Sequence, residues 1–432
     1  MKRPVDTTGS KTPVPLPFAD WQAMSPGRAA QEVARRVAEL PAPLRSAALA
    51  WQSTNDDLSA ALTRGTGPLR GLPYLAKDLF DVAGVPTRAG SAFLAETRAT
   101  PGDSALVRRL RDLGAALAGK THLVEFAAGL TGENRTYGDC PHPRFADRLA
   151  GGSSSGSAAL VAAGVTPFAL GTDTGGSVRV PAAFCGLFGF RLTPGEPFVR
   201  DAFPLSPTCD TAGWFTAFPQ DLAQLNHALL GAREPADRAP RGVFLRARAV
   251  FPEADTAIDD ACALAAAQLA APLDTERERA LLATWANAVD AYTTLVTHEA
   301  FTIHQPWLDR FRDRYDPGIW QRFVKAGHTT PAQLEAASAT FAAVRTSFAE
   351  LFRAHDFLAF PCAPVPALTK AQCTLETRRA ILTFTAPASL AGLPVLTVPV
   401  PLANGLSAGL QIVAPRVSSP VFDWVLACCA EQ

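Results

Sequence analysis

Two serine-bearing glycine loops, their key serines 24 positions apart, constrain this chain more than any other feature. Residues 151–181 read GGSSSGSAALVAAGVTPFALGTDTGGSVRVP. The second loop, Asp173-Thr174-Gly175-Gly176-Ser177, follows the apolar run Phe168–Leu170, so it reads as the turn leaving a buried strand. Glycine there lets the backbone turn tightly and leaves amide N–H groups uncovered. Successive amides pointing inward form a concavity for negative charge. A serine at the end of such a turn can attack a carbonyl while those donors hold the developing oxyanion, a contribution of about 3–4 kcal/mol per well-placed donor.

The first loop, Gly152-Ser153-Ser154-Ser155-Gly156, matches the G-x-S-x-G nucleophile elbow centred on Ser154. That elbow should leave a buried strand. The preceding Arg148-Leu149-Ala150-Gly151 is a poor strand, which argues against an α/β-hydrolase.

A serine nucleophile needs a base. The histidines at 122, 142, 227, 298, 304, 328 and 355 stand in no recognisable triad context. His298-Glu299 opens like a zinc-protease helix, but His304 comes too late to share its face, so no metal site is expected. Lys77 is the better base. It ends the apolar run Pro73-Tyr74-Leu75-Ala76, and burial there would strip water from its ammonium. A drop of about 3 pKa units, worth about 4 kcal/mol, would leave a neutral amine available near pH 7.

Around these residues the chain alternates short apolar runs with helical patterns. Asp103–Leu113 reads as a helix, Ala115–Ala118 as a buried strand and Ser155–Ala163 as a small-residue helix. Such alternation predicts an α/β fold, with a large, mixed, mostly parallel central sheet flanked by helices on both faces. Residues 256–357 change character to alanine-rich helices with few glycines and read as a helical insertion over the substrate pocket. Strand-like Phe357–Phe360, Val395–Val400 and Gly409–Val413 then return to the sheet. Residues 1–55 read as a proline-rich arm and a helix, from a cap at Ser25 to Leu40, packing on a core domain of residues 56–432.

Lys plus Arg and Asp plus Glu both total 40, so the formal charge is zero. That balance gives no electrostatic case for a nucleic-acid or acidic-membrane partner. No apolar run reaches the ~18 residues needed to span a bilayer, and the N-terminus lacks an apolar signal segment. Eight cysteines without a C-x-x-C pair fit reduced, mostly buried thiols. A cytoplasmic enzyme without a cofactor, monomeric or homodimeric, is the expectation.

Taken together, the lysine and the two loops resemble the amidase signature family of Ser–cis-Ser–Lys hydrolases. The resemblance runs through Gly71–Pro86, Gly119–Tyr137 and Gly151–Pro194, and resumes in Pro361-Cys362-Ala363-Pro364 and Ser389–Pro415. It implies the amidase signature fold, with Lys77 as the catalytic lysine, Ser153 as the bridging serine and Ser177 as the nucleophile. It further implies a cis peptide at Gly152–Ser153 that aims the Ser153 hydroxyl at both partners. The amides of Thr174, Gly175, Gly176 and Ser177 would form the oxyanion hole, and Ser154, Asp173 and Arg179 would support the loops by hydrogen bonds.

The family's range covers amides first, then esters, carbamates (urethanes) and anilides. The runs Cys209–Phe215 and Gly186–Arg191 look most like short stand-alone amidases of the indole-acetamide hydrolase type, although Leu192-Thr193-Pro194 and the insertion depart from them. Aromatic residues concentrate between Trp285 and Phe323, so an apolar pocket for an aryl or indolyl group is expected. Its candidate residues are Gly129, Leu130, Thr131, Trp307, Tyr315 and Trp320. A glutaminase subunit of a tRNA-dependent amidotransferase is the second reading, disfavoured because residues 378–385 carry no carboxylate to grip a glutamine amino group. A silent binding protein is the third, disfavoured by the intact lysine and serines.

Overall fold

Strand propensity and burial place eleven short strands in one sheet, and that sheet carries the site. In the computed structural model, residues 13–231 and 238–431 are described, so the first twelve residues of the expected arm lie outside them. The strands are β1 (Leu49–Gln52), β2 (Pro73–Lys77), β3 (Ala116–Thr121), β4 (Phe168–Asp173), β5 (Phe188–Arg191) and β6 (Thr211–Thr216). They continue as β7 (Gly242–Phe244), β8 (Ala270–Pro272), β9 (Phe357–Pro361), β10 (Val395–Pro401) and β11 (Ser407–Val413). Their order across the sheet is β1-β3-β2-β4-β6-β5-β10-β11-β9-β7-β8.

The sheet is mixed, as expected, but it is not mostly parallel. Parallel pairing is confined to β3-β2-β4 and to β9-β7-β8. Every other neighbouring pair is antiparallel. Between β10 and β11 the cause is connection length: they are joined by a tight turn in which Leu402 N–H donates to Leu406 O at 2.9 Å, and a turn that short can only reverse the chain. Central strands are apolar and dry; Leu170, Phe190, Trp214 and Ile412 have no exposed surface.

Helices flank the sheet. The helix expected after Ser25 spans Pro26–Glu39, with proline in its first turn, where a missing N–H costs nothing. Two short helices leave the glycine loops, α1 (Ser155–Ala162) and α2 (Arg179–Cys185). Then come α3 (Thr256–Ala266), α4 (Thr275–Trp285), α5 (Ala288–Leu308), α6 (Pro317–Ala326) and α7 (Pro331–Ala354). The helix α8 (Leu375–Ala391) follows β9 and packs on α5 and α7. Among the described residues no helix is long and apolar enough to cross a membrane.

Aromatic side chains of α5, α6 and the segment between them mostly meet one another and three phenylalanines of the core, Phe93, Phe126 and Phe203. Phe93 stacks on Phe311 with centroids 4.4 Å apart, and Phe126 meets the His304 ring edge-on at 4.3 Å. Trp285 lies apart from them, against Phe348 and Phe360.

Candidate active site

Lys77 ends β2, the strand between β3 and β4, so its side chain emerges where the sheet meets the two glycine loops. It has no exposed surface. Its Nζ lies 2.7 Å from Ser153 Oγ and 2.8 Å from Thr172 Oγ1. Burial lowers its pKa from 10.5 to about 7, against the opposing pull of the Asp210 and Asp173 carboxylates. An amine so placed is available in its neutral form at ordinary pH.

The Gly152–Ser153 peptide is cis. The first loop is pinned on both flanks: Gly152 N–H donates to Leu130 O at 2.8 Å, and Val124 N–H to Ser153 O at 3.1 Å. Ser154 N–H reaches Ser177 O at 3.3 Å, which draws the two loops together. The Ser154 hydroxyl donates to Thr172 O at 3.2 Å and lies 3.3 Å from Thr172 N. A Cβ on Gly171 would sit 2.9 Å from that hydroxyl oxygen, so β4 must carry glycine there.

Asp173 organises the second loop. Its Oδ1 accepts from Gly176 N–H at 2.8 Å, Arg179 at 2.9 Å and Arg191 at 2.8 Å. Its Oδ2 accepts from Val178 N–H and from the Arg179 Nε–H. Burial alone would raise its pKa, but the two guanidinium groups together hold the carboxyl well below the usual carboxylate range. Arg179 extends the network to Thr385 O, Gln411 Oε1 and Ser389 Oγ. Because Gly176 gives its amide to Asp173, the four-donor cradle expected from the sequence becomes three. The amides of Thr174, Gly175 and Ser177 carry no acceptor among the described residues. Gly175 must also be glycine, since a Cβ there would lie 2.2 Å from the Tyr292 hydroxyl.

Two polar residues at the loops escape a sequence reading of roles. Arg191 closes the expected Gly186–Arg191 run, yet only the fold shows it reaching Asp173. Asp210, inside the Cys209–Phe215 run, accepts the Thr174 hydroxyl at 2.5 Å and the amides of Leu205 and Ser206, each at 2.9 Å.

Ser177 lies on the wall of a cavity whose other lining residues include Leu130, Leu205, Tyr292, Val296, Phe323, Leu382 and Arg378. Gly129 and Leu130 also line that cavity. Thr131, Trp307, Tyr315 and Trp320 do not line it. The Thr131 hydroxyl donates to Glu133 at 2.8 Å. Trp307 packs on Phe203 and Phe93, and Tyr315 bonds His304 at 3.0 Å. Trp320 donates its indole N–H to Leu308 O and carries Arg312 over its ring, beside a separate surface depression. These rings fill space between helices rather than face Ser177. Arg378 is the most informative addition: its Nε is shielded from solvent and finds no acceptor among the described residues.

The family model described as Amidase matches residues 28–420. Over 383 residues, 80% of either chain, the sequence is 33% identical to the 1-carboxybiuret hydrolase subunit AtzE of Pseudomonas sp. (strain ADP). It is 30% identical over 379 residues to Amidase 1 of Oryza sativa subsp. japonica, covering 80% of this chain and 87% of that one. A crystal structure of an amidase superposes with a TM-score of 0.82 at 30% identity, over 96% of this chain and 98% of the other.

Proposed function

The chain belongs to the amidase family and is an amide C–N hydrolase, and from that premise we propose that it acts through an acyl-enzyme on Ser177. Neutral Lys77 takes a proton from Ser153 Oγ, which takes one from Ser177 Oγ, and Ser177 attacks the carbonyl carbon. The amides of Thr174, Gly175 and Ser177 stabilise the oxyanion. The proton returns through Ser153 to the leaving nitrogen, the C–N bond breaks, and water releases the acyl group by the same relay. One observation carries this reading: a fully buried lysine, its pKa lowered to about 7, lies 2.7 Å from a serine hydroxyl on the loop that abuts Ser177.

For the substrate we propose a small amide whose apolar body, aryl or indolyl in size, lies against Leu130, Leu205, Val296, Phe323 and Leu382, with a carbonyl or carboxylate oxygen on Arg378. An enclosed guanidinium nitrogen without an acceptor is costly until a ligand supplies one. The hydrolase subunit from Pseudomonas is named for 1-carboxybiuret, itself a carboxylated compound, which supports the same charge preference. The cavity lining holds Arg322 and Arg378 but neither Asp nor Glu. That set suits an anionic acyl group better than glutamine, whose amino group would go unpaired, so the glutaminase reading is the weaker one. Esters, carbamates and anilides present the same carbonyl to the same relay.

The test has two parts. Rapid quenching with a slow amide or ester, followed by peptide mass spectrometry, should find the acyl group on Ser177; full turnover with no adduct on that residue under any quench would end the acyl-enzyme reading. A matched panel of amides, each with and without a carboxylate, should show higher kcat/KM for the acids. Arg378→Leu should erase that preference by about 10- to 100-fold, the range of a lost charge-assisted hydrogen bond, while leaving neutral amides within about threefold.

A further inference from the structure

We propose that Asp210 is a positioning residue for hydrolysis: its carboxylate clamps the turn bearing the oxyanion amides to the wall of the substrate cavity, and its charge forms part of the field at Lys77. The inference rests on the acyl-enzyme reading above. Asp210 stands one residue before β6 and is buried. One carboxylate oxygen accepts the Thr174 hydroxyl, within the turn whose amides face the reacting carbonyl. The other accepts the amides of Leu205 and Ser206, and Leu205 lines the cavity. The same wall is tied to α5 by Glu299, which accepts the Ser206 hydroxyl at 2.5 Å and the Thr208 amide at 3.2 Å. Asp210 therefore links the part that stabilises charge to the part that holds substrate.

The charges around Lys77 separate two carboxylates by their pairing. Asp173 is neutralised by Arg179 and Arg191. Asp210 forms no ion pair among the described residues; from α5 it faces Tyr292, whose pKa is raised, chiefly by burial, so it stays an uncharged phenol, and from α8 Arg378 faces Tyr292 in turn. Burial raises the Asp210 pKa to about 6, opposed by its three hydrogen-bond donors and by Lys77. Asp210 in turn holds the Lys77 pKa up against burial. The lysine works as a base only when neutral, so a negative Asp210 places the acid limb of activity higher in pH than an empty field would.

Asp210→Asn isolates the charge. Asparagine can turn its Oδ1 to the Leu205 and Ser206 amides and donate from Nδ2 to the Thr174 hydroxyl, so each contact keeps a partner. In kcat/KM against pH, the wild-type acid limb should lie near 7, and in Asp210→Asn it should move down by about 1 unit. Thr174→Val removes one contact and keeps the charge; kcat/KM should fall about tenfold with the limb unmoved. An unmoved limb in Asp210→Asn, or an equal shift in Thr174→Val, overturns the inference. If Asp210→Asn does not fold, the wild-type limb decides: as Asp210 protonates near pH 6 its charge no longer holds the Lys77 pKa up, so between about pH 6 and 5 the slope should flatten below one proton, and a slope of one throughout overturns it. The residual activity of Lys77→Ala is the control on the underlying reading: a limb near 7 that survives there condemns the lysine base, not the role of Asp210.

Discussion

The floor of the site and its helical wall are held by opposite means. In the floor, Lys77, Asp173, Arg179 and Arg191 are fully buried, and hydrogen bonds lock them into fixed positions. In the wall, α5 and α6 pack through aromatic rings, and a few polar tethers seat them. Glu125 accepts the Asp316 amide at 2.7 Å, and Arg322 donates to Ala128 O at 2.6 Å. Burial raises the Glu125 pKa to about 8, so that tether is neutral or nearly so at ordinary pH. The paired charges of Asp173, Arg179 and Arg191 tolerate no partial replacement, because removing one partner leaves the other uncompensated. Apolar contacts accept substitution if volume is kept. Under the acyl-enzyme reading proposed above, the chemistry lies in the rigid floor and the choice of substrate in the more forgiving wall.

The largest test of that contrast is Ser177→Ala. Turnover should fall by a factor on the order of 10⁴ or more, with the melting temperature within a few degrees of wild type, measured by calorimetry alongside hydrolysis. Near-normal rates would remove the nucleophile and, with it, the meaning of the floor.

Lys77→Met sharpens the contrast by setting function against stability. Activity should be lost. The folded pKa lies below the unfolded 10.5, so between about 7 and 10.5 the unfolded chain binds the extra proton and wild-type stability rises with pH. The cost of the buried ammonium is full below 7 and fades as pH climbs through that window. It is of order 4–5 kcal/mol, offset in part by the two lost hydrogen bonds. At pH 7 the variant should therefore melt higher than wild type, and its advantage should shrink toward pH 10. A variant that melts lower at every pH would mean that the lysine's bonds outweigh its desolvation.

Trp320→Ala is the smallest expected change. Its ring lies off the cavity, so kcat/KM should stay within about twofold across an amide panel, as for surface changes away from a site. A tenfold selective loss on aryl amides would return this tryptophan to the pocket and blur the division between floor and packing.

How much of this was legible in the residues depends on sequence distance. The glycine turns are local: a strand, a tight turn and a serine are adjacent in the chain, so their geometry follows from residue type. Lys77 announced itself by ending an apolar run. The partners of Asp173 did not, because Arg191, Ser389 and Gln411 arrive from strands and a helix far along the chain. Aromatic count also misled. Trp307 and Tyr315 lie in a ring-rich stretch, yet composition cannot tell a ring that faces a ligand from one that stacks on Phe93. Strand direction was hidden for a similar reason, since parallel and antiparallel strands in a dry sheet share one apolar pattern.

The contact between Gly175 and Tyr292 has a practical consequence. Apolar lining positions such as Val296, Phe323 and Leu382 can change where volume is kept, yet this phenol has to stay where it is, or be replaced by something smaller. A bulkier group would press on the bare Gly175 backbone, and if its amide holds the oxyanion as proposed, retuning specificity at that spot would retune reactivity as well. Libraries aimed at new substrates should therefore leave residue 292 alone and vary 296, 323 and 382 around it.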